Sequence, residues 1–208
     1  YGPGAMRDKR RAWARSLAEL TAAYPDDDEA AAFHALAVLA VSSHRGAGRE
    51  RILGAAARLE RIFARNPDHP GVAHYLIHAY DDPDLARRGL AAARRYDDIA
   101  PAAYHARHMP AHIYRQLGMW EEVANACASA YEASVAWVER EGLADNKRDF
   151  HSLRWLQTAY VELGRLDDAQ RLIEHVAQLV RDNPADREIR GVKRDLERAL
   201  EGADLTDF

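Results

Sequence analysis

Four histidines fall into two pairs with the same internal spacing. His74 and His78 stand four apart, as do His108 and His112, and 34 residues separate each member of the first pair from its counterpart in the second. A spacing of four puts two side chains on one face of a helix. Recurrence at a fixed interval of roughly 20–50 residues marks stacked repeats, none of which can bury its apolar face alone. An interval of 34 fits a helix–turn–helix unit. Such a chain is predicted to carry its four imidazoles at equivalent positions of neighbouring units, where they converge.

Composition agrees with a helical array. Of 208 residues, 48% are hydrophobic and 30% charged, so the chain can bury a core and keep a solvated surface. Ala, Leu, Arg and Glu fill the long segments, and these favour helix. The net charge of −4 argues against nucleic-acid binding, which asks for a basic balance. Arg87-Arg88 and Arg94-Arg95 read as solvated helix faces. The single cysteine, Cys127, excludes an internal disulfide framework. In the run Ala126-Cys127-Ala128-Ser129-Ala130 it reads as a small buried hydrophobe. Without a long apolar run or a leader-like start, no membrane partner is expected, and the chain is read as cytoplasmic.

Breaker residues set the elements. Helices are predicted over 7–23, 28–43, 50–65, 70–81, 83–98, 102–117, 119–139, 149–163, 166–182 and 185–201. Tyr24-Pro25, Asn66-Pro67 and Asn183-Pro184 close three of them. Residues 1–6 and 202–208 are expected as tails around a single helical-repeat domain, 7–201. Tyr114…Gly118 and Tyr160…Gly164…Ala169 have the turn spacing of tetratricopeptide units. Pro67 and Pro101 close two units 34 residues apart. The fold expected is all-α: a tetratricopeptide-like solenoid of about four hairpins, 28–67, 70–101, 104–138 and 150–184, plus flanking helices. The register carries a 12-residue insertion around 139–149, which is expected to border the binding face.

In that register the core positions are Leu76, Ile77 and Tyr80, then Pro110, Ala111 and Tyr114, then Leu156, Gln157 and Tyr160. The paired histidines fall between them and are expected to face a concave groove. His105, His108 and His112 share one face, as do His74, His78 and Asp81. Neutral imidazole is the commonest metal ligand. Two histidines at i and i+4 can share one ion, and a nearby carboxylate suits non-haem iron. The candidate ligands are therefore His74, His78, His108, His112, His105 and Asp81, for zinc, iron or copper. His34, His151, Arg154 and Arg115 are expected to line the groove. Bland alternatives stand beside these: His44 and His175 read as surface, His69 as structural, and Trp120, Trp137 and Trp155 as packing residues. The groove's ligand would be a small molecule or a peptide, and a metal-free peptide-binding scaffold is the competing function.

Two blocks carry a resemblance. His69-Pro70-Gly71-Val72-Ala73-His74-Tyr75-Leu76-Ile77-His78-Ala79-Tyr80-Asp81-Asp82-Pro83 resembles a family of bacterial tetratricopeptide-repeat proteins. So does His105-Ala106-Arg107-His108-Met109-Pro110-Ala111-His112-Ile113-Tyr114 with Leu117-Gly118-Met119-Trp120. The likeness covers about residues 25–165. It implies the solenoid fold and further N-terminal repeats in family members, and it carries over no activity to this chain. Ala111 departs from the family's usual Ser. Arg154 stands where an acidic residue is expected, which favours an anionic ligand near the fourth unit.

Overall fold

The computed structural model describes residues 5–204, apart from the side chains of the last two, and shows only helices among them. The expected tails at 1–6 and 202–208 fall mostly outside the described residues; the helices themselves begin at Met6 and reach Asp204. The chain packs as two compact units, residues 1–99 and 100–208. No described helix is long and apolar enough to cross a membrane.

The first unit holds α1 (Met6–Ala23), α2 (Asp28–Val41), α3 (Ala47–Arg65), α4 (Pro70–Tyr80) and α5 (Ala86–Ile99), and each packs on the next. Asp27 starts α2 by accepting a hydrogen bond from the Ala30 amide at 3.0 Å, which satisfies one of the four free N–H groups of a helix start. Pro70 opens α4, where its missing N–H costs nothing. Leu76, Ile77 and Tyr80 are buried, as the register requires. The Tyr80 hydroxyl donates to Glu60 Oε1 at 2.6 Å, and Arg88 lies over its ring while pairing with the same carboxylate. Burial and the carboxylate push the Tyr80 phenol pKa well above its ordinary value.

The second unit holds α6 (Tyr104–His108), α7 (Pro110–Gln116), α8 (Trp120–Arg140), a 3₁₀ turn (Asp145–Lys147), α9 (Phe150–Glu162), α10 (Leu166–Asp182) and α11 (Arg187–Asp204). Its core joins Val123, Cys127 and Tyr131 of α8 to Phe150, Leu153 and Leu156 of α9, and to the apolar faces of α10 and α11. On α10, Ala169, Ile173, Val176 and Leu179 are the buried residues, spaced as one helical face. Burying such a side chain contributes about 1.5–3 kcal/mol for each Val, Leu or Ile.

Two features position the site. The helix expected over 102–117 is interrupted at Met109-Pro110. Pro110 has no N–H for the helical bond, so the ladder skips one rung. The backbone stays right-handed at Met109 (φ −55°, ψ −38°), so α7 continues α6 closely. At the end of α7, Gly118 takes φ +68°, and the Met119 amide reaches back to Tyr114 O at 2.9 Å. This left-handed closure suits glycine and turns the chain sharply into α8.

Candidate functional site

The site begins with a helix cap. Asp149 precedes α9 and accepts from the Ser152 amide at 3.2 Å. The Ser152 hydroxyl donates to the second oxygen of the same carboxylate. The Asp149 amide in turn donates to Ser134 Oγ at 2.9 Å, which anchors the start of α9 to the middle of α8. Ser134 and Ser152 are both fully buried, so each hydroxyl is held by fixed partners rather than water.

Ser152 meets His108. Its Oγ lies 3.0 Å from His108 Nδ1. Because the hydroxyl proton is committed to Asp149, Ser152 Oγ accepts, and His108 carries its proton on Nδ1. The Nε2 lone pair is left facing His151 Nε2 at 3.1 Å. Cys127 Sγ stands 3.8 Å from Nδ1, on the side away from that lone pair. Fixing the tautomer from behind through a hydroxyl and a carboxylate is how ligating histidines are oriented.

His112 completes the group. The ligand nitrogens of His108, His112 and His151 all lie within 4.8 Å of one another. Two nitrogens bound to one tetrahedral zinc at 2.0–2.1 Å stand about 3.3 Å apart. The His108–His151 separation already has that value to within a few tenths of an ångström. His112 is half-buried and His151 exposed, so both rings have room to close on an ion set by the buried His108. Trp155 packs against all three imidazoles, with ring centroids 4.9 Å from His108, 4.8 Å from His112 and 5.5 Å from His151. Arg115 lies over the same indole, 4.5 Å from its centroid.

Electrostatics favour the neutral form of His108, His151 and His105. Burial, then the neighbouring histidines His112, His151 and His105, lower the His108 pKa to about 3. Partial desolvation, together with His112, Arg154 and His105, lowers His151 against the pull of Asp149. Partial desolvation lowers His105 as well. Neutral imidazoles that repel one another's protons are the form a metal ion takes up.

The remaining sequence candidates have other surroundings. His105 is exposed on α6, one turn before His108. His74 and His78 lie in the first unit and stack on each other at 4.8 Å between centroids. His74 Nδ1 lies 3.3 Å from the Tyr96 hydroxyl, and His78 lines a cavity with Leu36, His44 and Ile52. Asp81 is the C-terminal cap of α4. His34 pairs with Arg58 in the first unit. Arg154 pairs with Asp195 of α11 at 2.9 Å and donates to Phe150 O. The insertion divides its contacts. Asp145 and Asn146 bond to Asn183 and Asp186 at the turn between α10 and α11, while Asp149 connects to His108 through Ser152.

Two sequence expectations are corrected. His108 was placed outside the core, yet it is 1% exposed, because α8 and α9 close over it from elements remote in sequence. His175, read as surface, is exposed, and its Nε2 lies 2.9 Å from the Tyr131 hydroxyl. His44, also read as surface, is half-buried and meets Ala79 O at 3.2 Å. Sequence reasoning passed over Asp149 and Ser152. Their signal is the cap motif Asp149-x-x-Ser152, directly flanking His151.

Comparison of the chain with protein-family models, characterised proteins and solved structures gives no match.

Proposed function

We propose that this is a tetratricopeptide-type repeat protein that holds one divalent transition metal on His108, His112 and His151 and presents it to a ligand. The observation carrying this is the convergence of three imidazoles around the oriented Nε2 of His108. The repeat assignment is supported by the 34-residue histidine offset and by the helix pairs whose core positions follow the repeat register. An all-imidazole set suits zinc, copper or iron(II) rather than magnesium or calcium, which favour oxygen ligands. Three protein ligands leave a tetrahedral position open, which is the pattern of a site that binds a further molecule.

Such an ion supplies Lewis acidity and activates a bound water near neutral pH. The chain's own residues hold the geometry around it. Ser152 and Asp149 keep the His108 proton on Nδ1, and Trp155 covers one side of the imidazoles and limits water there.

The test is titration of metal-stripped protein with Zn²⁺, Cu²⁺ and Fe²⁺ at about pH 7.5 and about pH 5.5, either side of the histidine reference pKa. Wild type should bind one equivalent, more weakly at the lower pH. His112→Ala and His151→Ala should each lose that binding with helicity intact. If wild type binds none of the three ions more tightly than the variants, the metal function fails. The metal-free peptide scaffold then takes its place.

A further inference from the structure

A cavity of about 210 Å³ opens between α2 and α3 in the first unit, lined by His34, Val38, Arg51, Gly54, Ala55 and Arg58 among others. No carboxylate lines it. Arg58 Nη1 lies 3.2 Å from His34 Nδ1. A guanidinium has donors only, so the imidazole accepts at Nδ1 and keeps its proton on Nε2. Burial and the Arg58 charge lower the His34 pKa, in keeping with a neutral ring. Arg51 donates through Nε to Ser42 Oγ at 3.3 Å. Both cations are thus held by neutral acceptors. Asp28, on the same helix as His34, is taken by Arg65 at 2.5 Å.

Gly54 is the second observation. Arg51, Gly54 and Arg58 stand at i, i+3 and i+7 of α3 and share one face. Helix propensity disfavours glycine inside a helix of 19 residues. Its backbone does not need glycine, since Gly54 is not among the residues with positive φ. Packing does not need it either, because nothing lies within 4 Å of where a Cβ would stand. The missing side chain leaves room between two guanidiniums and beside Val38 and Ala55.

We propose that this cavity binds a small organic carboxylate. Its oxygens sit between Arg51 and Arg58, and its hydrocarbon part lies over Gly54 against Val38 and Ala55. Arginine forks match carboxylate oxygens, and the apolar wall selects an organic acid over a bare inorganic anion. The volume equals about seven water-sized groups, enough for a short-chain acid.

The experiment is isothermal titration of the full chain, kept metal-free with a chelator, using hexanoate and, separately, inorganic phosphate. Because no metal is present, the outcome does not depend on the three-histidine site. Wild type should bind hexanoate saturably and more tightly than phosphate. Arg51→Gln and Arg58→Gln should each weaken hexanoate by about tenfold or more, the scale of one charge-assisted hydrogen bond. Gly54→Val should abolish binding without lowering the melting temperature, and His112→Ala should leave it unchanged. Three results overturn the assignment: no saturable hexanoate binding by wild type, hexanoate affinity within about twofold of wild type in both arginine variants, or tighter binding of phosphate. If Gly54→Val fails to fold, the arginine variants decide alone.

Discussion

Acidification should destabilise the second unit through His108, by an amount the structure sets. In the unfolded chain this imidazole titrates near 6.5. In the folded protein its pKa is lowered to about 3 by burial and by the neighbouring histidines. The folded state therefore binds fewer protons than the unfolded state between those values, and stability falls as pH falls. The contribution is intact above about pH 6.5 and is lost progressively toward pH 3. At 1.36 kcal/mol per unit, moving from about pH 7.5 to about pH 4.5 costs about 3 kcal/mol at this one residue. Other groups titrate in the same window, so the measurement is a comparison. Urea unfolding of metal-free wild type and of His108→Asn is followed at both pH values by circular dichroism. Wild type should lose about 3 kcal/mol more than the variant. Losses that agree within about 1 kcal/mol would show that His108 is not a buried neutral base, and the oriented-ligand geometry would fall with it.

Three further outcomes follow from particular contacts. Ser152→Ala removes the hydroxyl behind His108 Nδ1 and should weaken zinc binding by about 10–100-fold, measured by chelator competition, while leaving the far-ultraviolet spectrum unchanged. Gly164→Ala puts a Cβ at φ +68° with nothing near it, so the cost should be pure backbone strain of about 1–2 kcal/mol in urea unfolding. Cys127 is fully buried, and burial with the Asp149 charge nearby pushes its thiol pKa up. It should react with a thiol reagent only at the rate of unfolding.

Much of the helical fold was legible because local signals coincide with the elements. Asp27, Pro70, Gly118 and Gly164 mark helix ends through their own backbone chemistry, and the register counted from the turns identifies Leu76, Ile77, Tyr80, Leu156 and Gln157 as buried. The break at Met109-Pro110 was missed because the histidine spacing of four runs straight through it. His108 and His112 come together, with ring centroids 5.1 Å apart, as their spacing of four predicts. The identity of the closing ligand was less legible. His151 is separated from them by the whole of α8 and an insertion, and it was assigned to the groove rather than to a metal. Only the folded course of 139–149 brings it to 3.1 Å from His108. The burial of His108 was also hidden, since it depends on Cys127 and Ser152 arriving from two later helices. Spacing within one helix can show which side chains share a face, but not what covers that face.

The central claim, that three imidazoles take up one ion, is tested most directly by zinc K-edge X-ray absorption on the loaded protein. A first shell of nitrogen and oxygen at about 2.0 Å is expected, with outer-shell scattering from three imidazoles. A sulfur shell at about 2.3 Å, or scattering from a single imidazole, would contradict it.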